Sequence, residues 1–320
     1  MYHIDNLMRD YAGDVPGASV LVVQSGRVVL RKSYGMANFE ERIAAAPDTN
    51  YRLASVTKQF TAAAILLLKN SDKLSLDDHI TKYLHVPEQG ITIRHLLTHT
   101  SGLLAYEDLI PAGTTRQLKD ADVLDLLAKQ NTTYFAPGTH YRYSNTGYAF
   151  LALIVERVSG QRFADFLHDN IFKPAGMNAT VAFEQGVSTV ANRAYGYSRT
   201  DGEWRRTDQS LTSAVLGDGG IYSSADDLVH WIAWLENGRF DEALVPATPT
   251  DDPAVRYGFG WRISEHAGQR VVSHTGETIG FRNAIVRFPD RHLTVVILTN
   301  RNEGTPYKTA LEIADMFLGQ

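Results

Sequence analysis

Apolar residues recur at every second position near both ends of this chain and at helical spacing in between. Ser19-Val20-Leu21-Val22-Val23, a Gln24-Ser25-Gly26 turn and then Arg27-Val28-Val29-Leu30-Arg31-Lys32-Ser33-Tyr34 read as a β-hairpin. Alternation returns from Tyr257 through Gly258-Phe259-Gly260-Trp261-Arg262-Ile263 and in residues 269–274, 280–288 and 293–298, before a closing helix at about 306–318. Between these ends, helices are predicted at 93–97, 122–129, 147–158, 162–171 and 226–235. Pro137-Gly138, Ser159-Gly160 and Gly217-Asp218-Gly219-Gly220 separate them. The terminal segments therefore build one sheet, and the fold class is α/β in the mixed α+β sense. Residues 1–75 and 239–320 form a discontinuous α/β lobe, and residues 76–238 form a mostly helical lobe. At 320 residues the chain exceeds the roughly 250 to 300 that one core supports, so a cleft between two lobes is the expected place for a site.

Residues 55–70 read as a helix whose Ala62-Ala63-Ala64-Ile65-Leu66-Leu67-Leu68 stretch is apolar nearly all round, which makes it central and buried. Ser55 and Lys58 stand three apart at its start, so their side chains project from one face and can touch. A serine hydroxyl is a weak nucleophile until a neighbouring base takes its proton, and a lysine serves as that base where burial disfavours its charged form. Alone, this spacing recurs by chance in ordinary chains.

Two further elements give it a context. Tyr143-Ser144-Asn145 lies between the Pro137-Gly138 turn and a helix, where a phenol can relay a proton and a carboxamide can both donate and accept. The bland alternative makes Tyr143 core and Asn145 the N-cap of that helix. His274-Thr275-Gly276 ends a predicted strand and is followed by Glu277. There His274 offers a donor or partial positive charge, Thr275 a hydroxyl, and Gly276 room for a substrate backbone at the strand edge. Helix start, loop before a helix and edge strand are the places from which three elements can surround one carbonyl.

On these residues the sequence resembles the penicillin-recognising serine hydrolases, with their SxxK, Tyr-x-Asn and Lys/His-Thr-Gly elements, and within them the class C β-lactamase and DD-peptidase branch. Ile93-Arg94-His95-Leu96-Leu97-Thr98-His99-Thr100-Ser101-Gly102-Leu103 and Gly219-Gly220-Ile221-Tyr222-Ser223-Ser224-Ala225-Asp226-Asp227-Leu228 extend the likeness. The resemblance implies a β-lactamase/transpeptidase-like fold, with an antiparallel sheet flanked by helices beside the helical lobe. It implies an acyl-enzyme mechanism in which Ser55 attacks, Lys58 and Tyr143 move protons and Asn145 holds the lysine and the substrate amide. The backbone N–H groups of Ser55 and Glu277 then receive the oxyanion. One departure matters: His274 stands where class C β-lactamases have lysine. With Glu277 on the same edge, this shifts the expected substrate from an anionic β-lactam towards an ester, an amide or a D-amino-acid peptide, with a true class C-like β-lactamase as the second reading.

Other classes are set aside on composition. A net charge of −5 without a basic cluster leaves no footprint for nucleic acid. With no cysteine, thiol nucleophiles, disulfides and thiolate metal sites are excluded. His95 and His99, four apart, have the spacing of a two-histidine metal site but lack the glutamate of HExxH and a third ligand, so neither metal nor cofactor is expected. The longest apolar run, 62–68, is far short of the roughly 20 residues of a membrane span. The charged N-terminal segment does not read as a signal peptide, which points to the cytoplasm, or to the periplasm or exterior if a leader was removed. No pattern in the sequence encodes an oligomeric state. A binding module that keeps the scaffold without turnover is the competing class, and the presence of Ser55, Lys58, Tyr143 and Asn145 together argues against it.

Overall fold

The computed structural model describes residues 2–87 and 90–319. Its frame is an eight-stranded antiparallel sheet of β1 (Ala18–Gln24), β2 (Arg27–Tyr34), β3 (Thr248–Pro249), β4 (Arg256–Tyr257), β5 (Arg262–His266), β6 (Gln269–Thr278), β7 (Phe281–Phe288) and β8 (Leu293–Thr299). The spatial order is β3-β4-β5-β6-β7-β8-β1-β2, so every neighbour but one is a sequence neighbour. The exception joins the two ends of the chain: β1 pairs with β8 from Ala18↔Thr299 to Gln24↔Leu293. The β1–β2 hairpin closes on Ser25 and Gly26, both at positive φ (49° and 74°), the twist that two-residue hairpin loops prefer.

Both faces of this sheet are covered, and the two-residue period of β1 and β8 assigns their side chains to two cores. Val20, Val22, Val295 and Ile297 pack with Ile4 and Met8 from the N-terminal segment and with Ala310 and Ile313 of the closing helix (Pro306–Leu318). Leu21, Val23, Val296 and Leu298 point the other way, into the larger core that holds α1 (Lys58–Asn70), α3 (Asn145–Ser159) and α4 (Ala225–Glu236). Continuous burial along β8 follows from this sandwiching. Of α1 the structure buries Lys58 through Leu66 without a break, as its apolar circumference predicts. Ser224 caps α4 by accepting the Asp227 N–H at 3.1 Å.

Several expectations at the element level need correction. The middle of the chain is less helical than its pattern suggests. Tyr51–Arg52, Ile221–Ser223 and Val181–Ala182 form a small three-stranded sheet, and Tyr197–Thr200 pairs with Glu203–Arg206. Strands of two to four residues are too short to show a period. The segment from Tyr257 to Ile263 is not one strand either: it breaks between β4 and β5, where Gly258 N–H donates to Trp261 O at 2.8 Å and Gly260 takes a φ of 76°. A Cβ on Gly260 would lie 2.7 Å from the Lys58 carbonyl oxygen, so this glycine turn seats directly against the start of α1. The helix predicted over 162–171 is a short α-helix, Phe163–Leu167, continued by a π-turn, His168–Phe172. Among the described residues no helix is long and apolar enough to cross a membrane.

Candidate active site

The site is built where α1 begins. A 3-10 turn, Ala54–Thr57, leads into α1 and carries Ser55. Ala54, just before it, holds a φ of 49°, a left-handed conformation that costs a non-glycine residue about 1–3 kcal/mol and clusters at functional sites. One turn on, the Lys58 side chain is fully buried, and its Nζ makes three contacts: Ser55 Oγ at 3.1 Å, Asn145 Oδ1 at 2.8 Å and the Asp218 carbonyl oxygen at 2.9 Å. Two of the three are fixed acceptors, so two N–H bonds are committed to Asn145 and Asp218. The remaining corner of the amine faces Ser55. That corner is an N–H in the charged lysine and a lone pair, able to receive the serine proton, in the neutral one.

Asn145 reaches Lys58 because it is not the cap of its helix. Ser144 takes that place, its Oγ accepting the Gly147 N–H at 3.1 Å, which leaves Asn145 as the first residue of α3 with a free side chain. Its amide orientation is settled by its partners: Oδ1 accepts from Lys58, and Nδ2 donates to Glu107 Oε1 at 2.8 Å. Tyr143 stands beside it with its ring centroid 5.0 Å from Lys58 Nζ. Its hydroxyl is buried without a partner among the described residues and makes no hydrogen bond to Ser55 or Lys58.

The two histidines considered as a metal pair serve the backbone. His95 Nδ1 accepts the Thr92 N–H at 3.2 Å in a capping box. His99, at a φ of 59° and fully buried, accepts the Ser144 N–H on Nδ1 at 3.1 Å and stacks on Tyr143 with centroids 4.3 Å apart. Burial, with Lys58 and His274 adding to it, holds the His99 ring well below the usual imidazole range.

The third motif departs from expectation at two residues. His274 is not at hand as a cation or free donor. It is buried, its Nδ1 lies 2.6 Å from the Thr275 carbonyl oxygen and its Nε2 2.9 Å from the Tyr257 hydroxyl. A carbonyl can only accept, so Nδ1 carries the proton and Nε2 accepts from Tyr257. Desolvation first, then Lys58 and Arg262, pushes the ring down to about 3. Gly276 provides close approach, but to protein rather than substrate: a Cβ there would lie 2.0 Å from the Leu53 carbonyl oxygen. The β5–β6 ladder stops at Arg262↔Ser273, and beyond it the edge of β6 packs against the turn that carries Ser55. Thr275 is half-buried on the strand face it shares with Glu277. Glu277 and Thr278 reach the rim of the cleft.

That cleft is lined by Ser55, Arg52, Glu107, Asn145, Asp218 and Glu277 among others. Glu107 and Asp218 escape the sequence reading. Tyr106 O–H donates to Asp218 Oδ2 at 3.1 Å, and burial, partly offset by Lys58, pushes the Asp218 carboxyl up to about 6. Asp218 sits within Gly217-Asp218-Gly219-Gly220, where the glycine density signals a backbone pressed against its neighbours. A Cβ on Gly217 would lie 2.2 Å from the Tyr148 carbonyl oxygen. Glu107 sits in a single 3-10 turn, Tyr106–Leu109, too short to show a period.

An antiparallel sheet between helices, with a serine touching a buried lysine at the floor of a cleft, defines a β-lactamase-related serine hydrolase. The chain belongs to the Beta-lactamase family, whose profile matches residues 4–319. It is 33% identical to penicillin-binding protein 4* of Bacillus subtilis (strain 168), over 92% of this chain and 70% of that protein. It is 32% identical to the D-aminopeptidase of Brucella canis (strain ATCC 23365 / NCTC 10854 / RM-666), covering 97% of this chain but only 61% of that protein's length. In three dimensions it is similar to the octameric penicillin-binding protein homologue from Pyrococcus abyssi, with a TM-score of 0.88 and 27% identity, over 100% of this chain and 76% of that one.

Proposed function

We propose that this protein hydrolyses amides, and by the same chemistry esters, of amino acids with a free amino group, through an acyl-enzyme on Ser55. The observation that carries the substrate class is the charge of the cleft: three carboxylates, Glu107, Asp218 and Glu277, line the pocket that opens onto Ser55 against one guanidinium, Arg52, which donates to the Gly219 and Ser213 carbonyls. Of the three, Glu107 Oε1 accepts from Asn145 Nδ2, which puts its carboxylate beside the residue that holds Lys58. An ammonium next to the scissile carbonyl meets opposite charge there, whereas a β-lactam carboxylate meets repulsion. The D-configuration follows the Brucella relative, a D-aminopeptidase, and the cleft's charge is consistent with either hand.

In the reaction, Lys58 in its neutral form takes the Ser55 proton as Oγ attacks the carbonyl carbon. The developing oxyanion is received by the N–H of Ser55, at the mouth of the 3-10 turn, and that of Glu277 on the adjoining β6 edge; each such donor is worth about 2.7–4 kcal/mol of barrier. Collapse breaks the carbonyl–leaving-group bond, and the leaving amine or alcohol departs with the proton held by Lys58. Tyr143, beside the lysine and with an uncommitted hydroxyl, relays it. Water then attacks the Ser55 ester by the reverse sequence and restores the enzyme.

The test compares D-alanine p-nitroanilide, its N-acetyl form, its L-isomer and benzylpenicillin on wild type, Ser55→Ala and Glu107→Gln. The expected result is turnover of the free D-amine, loss of kcat/KM of about tenfold or more on N-acetylation or in Glu107→Gln, and no turnover in Ser55→Ala. Indifference to acetylation would remove the amine reading and leave a general esterase. Fast turnover of penicillin would replace it with a β-lactamase.

A further inference from the structure

We propose that Asp120 is a positioning residue for Lys58, acting through the Leu216–Gly219 turn. Asp120 opens a helix, α2 (Asp120–Leu127), that makes no contribution to the cleft lining. The Asp120 carboxylate is buried and splits its two oxygens between neighbouring amides: Leu216 N–H donates to Oδ2 at 2.9 Å and Gly217 N–H to Oδ1 at 3.0 Å. The next residue, Asp218, presents the carbonyl oxygen that Lys58 Nζ contacts at 2.9 Å. On its other side the turn is tied to α1 itself, where Thr61 Oγ1–H donates to Gly217 O at 2.7 Å. Gly217 is also wedged onto α3, since any Cβ would meet Tyr148 O at 2.2 Å. One carboxylate thus fixes the turn in two places, two hydrogen bonds upstream of the reacting amine.

The arrangement is costly as pure structure. A carboxylate buried this way is penalised by desolvation, which pushes Asp120 up to about 7 even with two amides donating to it. Burial at such a cost is what a site uses when it needs a fixed geometry more than it needs stability. If the turn relaxes, the Asp218 carbonyl moves and the Lys58 corner that faces Ser55 turns away. A misplacement of about 1 Å at a catalytic group costs on the order of 10²-fold in rate.

The inference rests on the Ser55–Lys58 reading but not on the amine specificity, so its readout is the rate at which an uncharged fluorophosphonate labels Ser55, followed by intact mass. Asp120→Asn keeps the shape, puts an NH2 where one amide needs an acceptor and removes the buried charge. Its labelling rate is expected to fall roughly tenfold to hundredfold, beyond anything a change in its melting temperature accounts for, because the lost acceptor and the relieved buried charge act on stability in opposite senses. With an ester substrate, kcat should fall by the same factor at nearly constant KM. Asp120→Ala, if it folds, should be at least as slow; if it does not fold, Asp120→Asn decides alone. Labelling of Asp120→Asn at the wild-type rate would overturn the proposal, as would a rate loss that merely tracks a lowered melting temperature. Failure of the wild type to label at all would instead overturn the serine–lysine reading, and this inference with it.

Discussion

His274 shows how one residue can satisfy a motif and still do something other than the motif suggests. Its place in the His-Thr-Gly element is legible in the sequence; its burial and its two spent nitrogens are not, because Tyr257 comes from a strand two positions away in the sheet. The consequence is thermodynamic. The folded-state ring titrates at about 3 and the unfolded one near 6.5, so between those values only the unfolded chain takes up a proton. Stability from this residue is complete above about pH 6.5 and is lost as pH falls, with a limiting slope of about 1.4 kcal/mol per pH unit. His99 acts in the same direction. Asp120 and Asp218 act in the opposite one, because carboxyls raised to about 7 and about 6 stay protonated in the fold where the unfolded chain ionises. The gap in melting temperature between wild type and His274→Gln should therefore shrink as pH is lowered from 7 to 4. Parallel curves would show that His274 charges freely within the fold. Arginine and lysine neighbours make the converse substitution, His274→Lys, unfavourable: a second ammonium would be buried close to Lys58 and Arg262.

At the scale of elements, what the sequence discloses is what is local. The SxxK spacing brings Ser55 and Lys58 together because three residues along a helical start are neighbours, and α1, the first hairpin and the C-terminal strands follow from their periods. Glu107 on a 3-10 turn, Asp218 on the Leu216–Gly219 turn and Asp120 at the start of α2 all come from far along the chain from Ser55 and Lys58, and no periodic pattern records such a contact. Gly276 lies between the two cases. Its motif is visible, yet the reason for its glycine is the packing of β6 on the Ala54–Thr57 turn, two elements far apart in sequence. Gly276→Ala puts a methyl 2.0 Å from the Leu53 carbonyl and must part the strand from the turn, separating the Ser55 and Glu277 amides that the proposed oxyanion needs. Gly268, in the β5–β6 hairpin, has a φ of 71° with nothing within 4 Å of its Cβ position. Gly268→Ala should cost about 1 kcal/mol of stability and leave turnover intact, whereas Gly276→Ala should lower kcat by about tenfold or more. Equal turnover in the two variants would show that the β6 edge does not set the site.

For the whole molecule the decisive fact is that the first and last strands pair inside the sheet, and Asn300, just past β8, is where that closure is secured. Its backbone N–H donates to Gly17 O at 3.3 Å, and its carbonyl accepts the Tyr197 N–H at 3.0 Å. Its side chain accepts the Gly17 N–H at 2.7 Å and donates to Met36 O and Ala37 O at 3.1 Å each and to Tyr195 O at 2.8 Å. One fully buried carboxamide therefore joins the N-terminal segment, the middle of the chain and the C-terminal strand. Asn300→Ala removes an acceptor and a two-hydrogen donor at once; the Gly17 N–H keeps Met36 O at 3.0 Å and Ala37 O keeps the Tyr195 N–H at 2.9 Å, so the carbonyl stripped of its donor is that of Tyr195, at a cost of about 1–3 kcal/mol. Because those contacts span the chain rather than one element, their loss should lower the denaturant midpoint of the whole transition without splitting it, at unchanged m. Asn300→Asp keeps the acceptor for Gly17 but turns the donor into a charge facing three carbonyls, so it should be the more damaging of the two. A variant that unfolds in two steps, with the sheet lost before the helical core, would show that the closure joins two independently stable bodies, and Asn300 would then be a clasp between them rather than part of one cooperative fold.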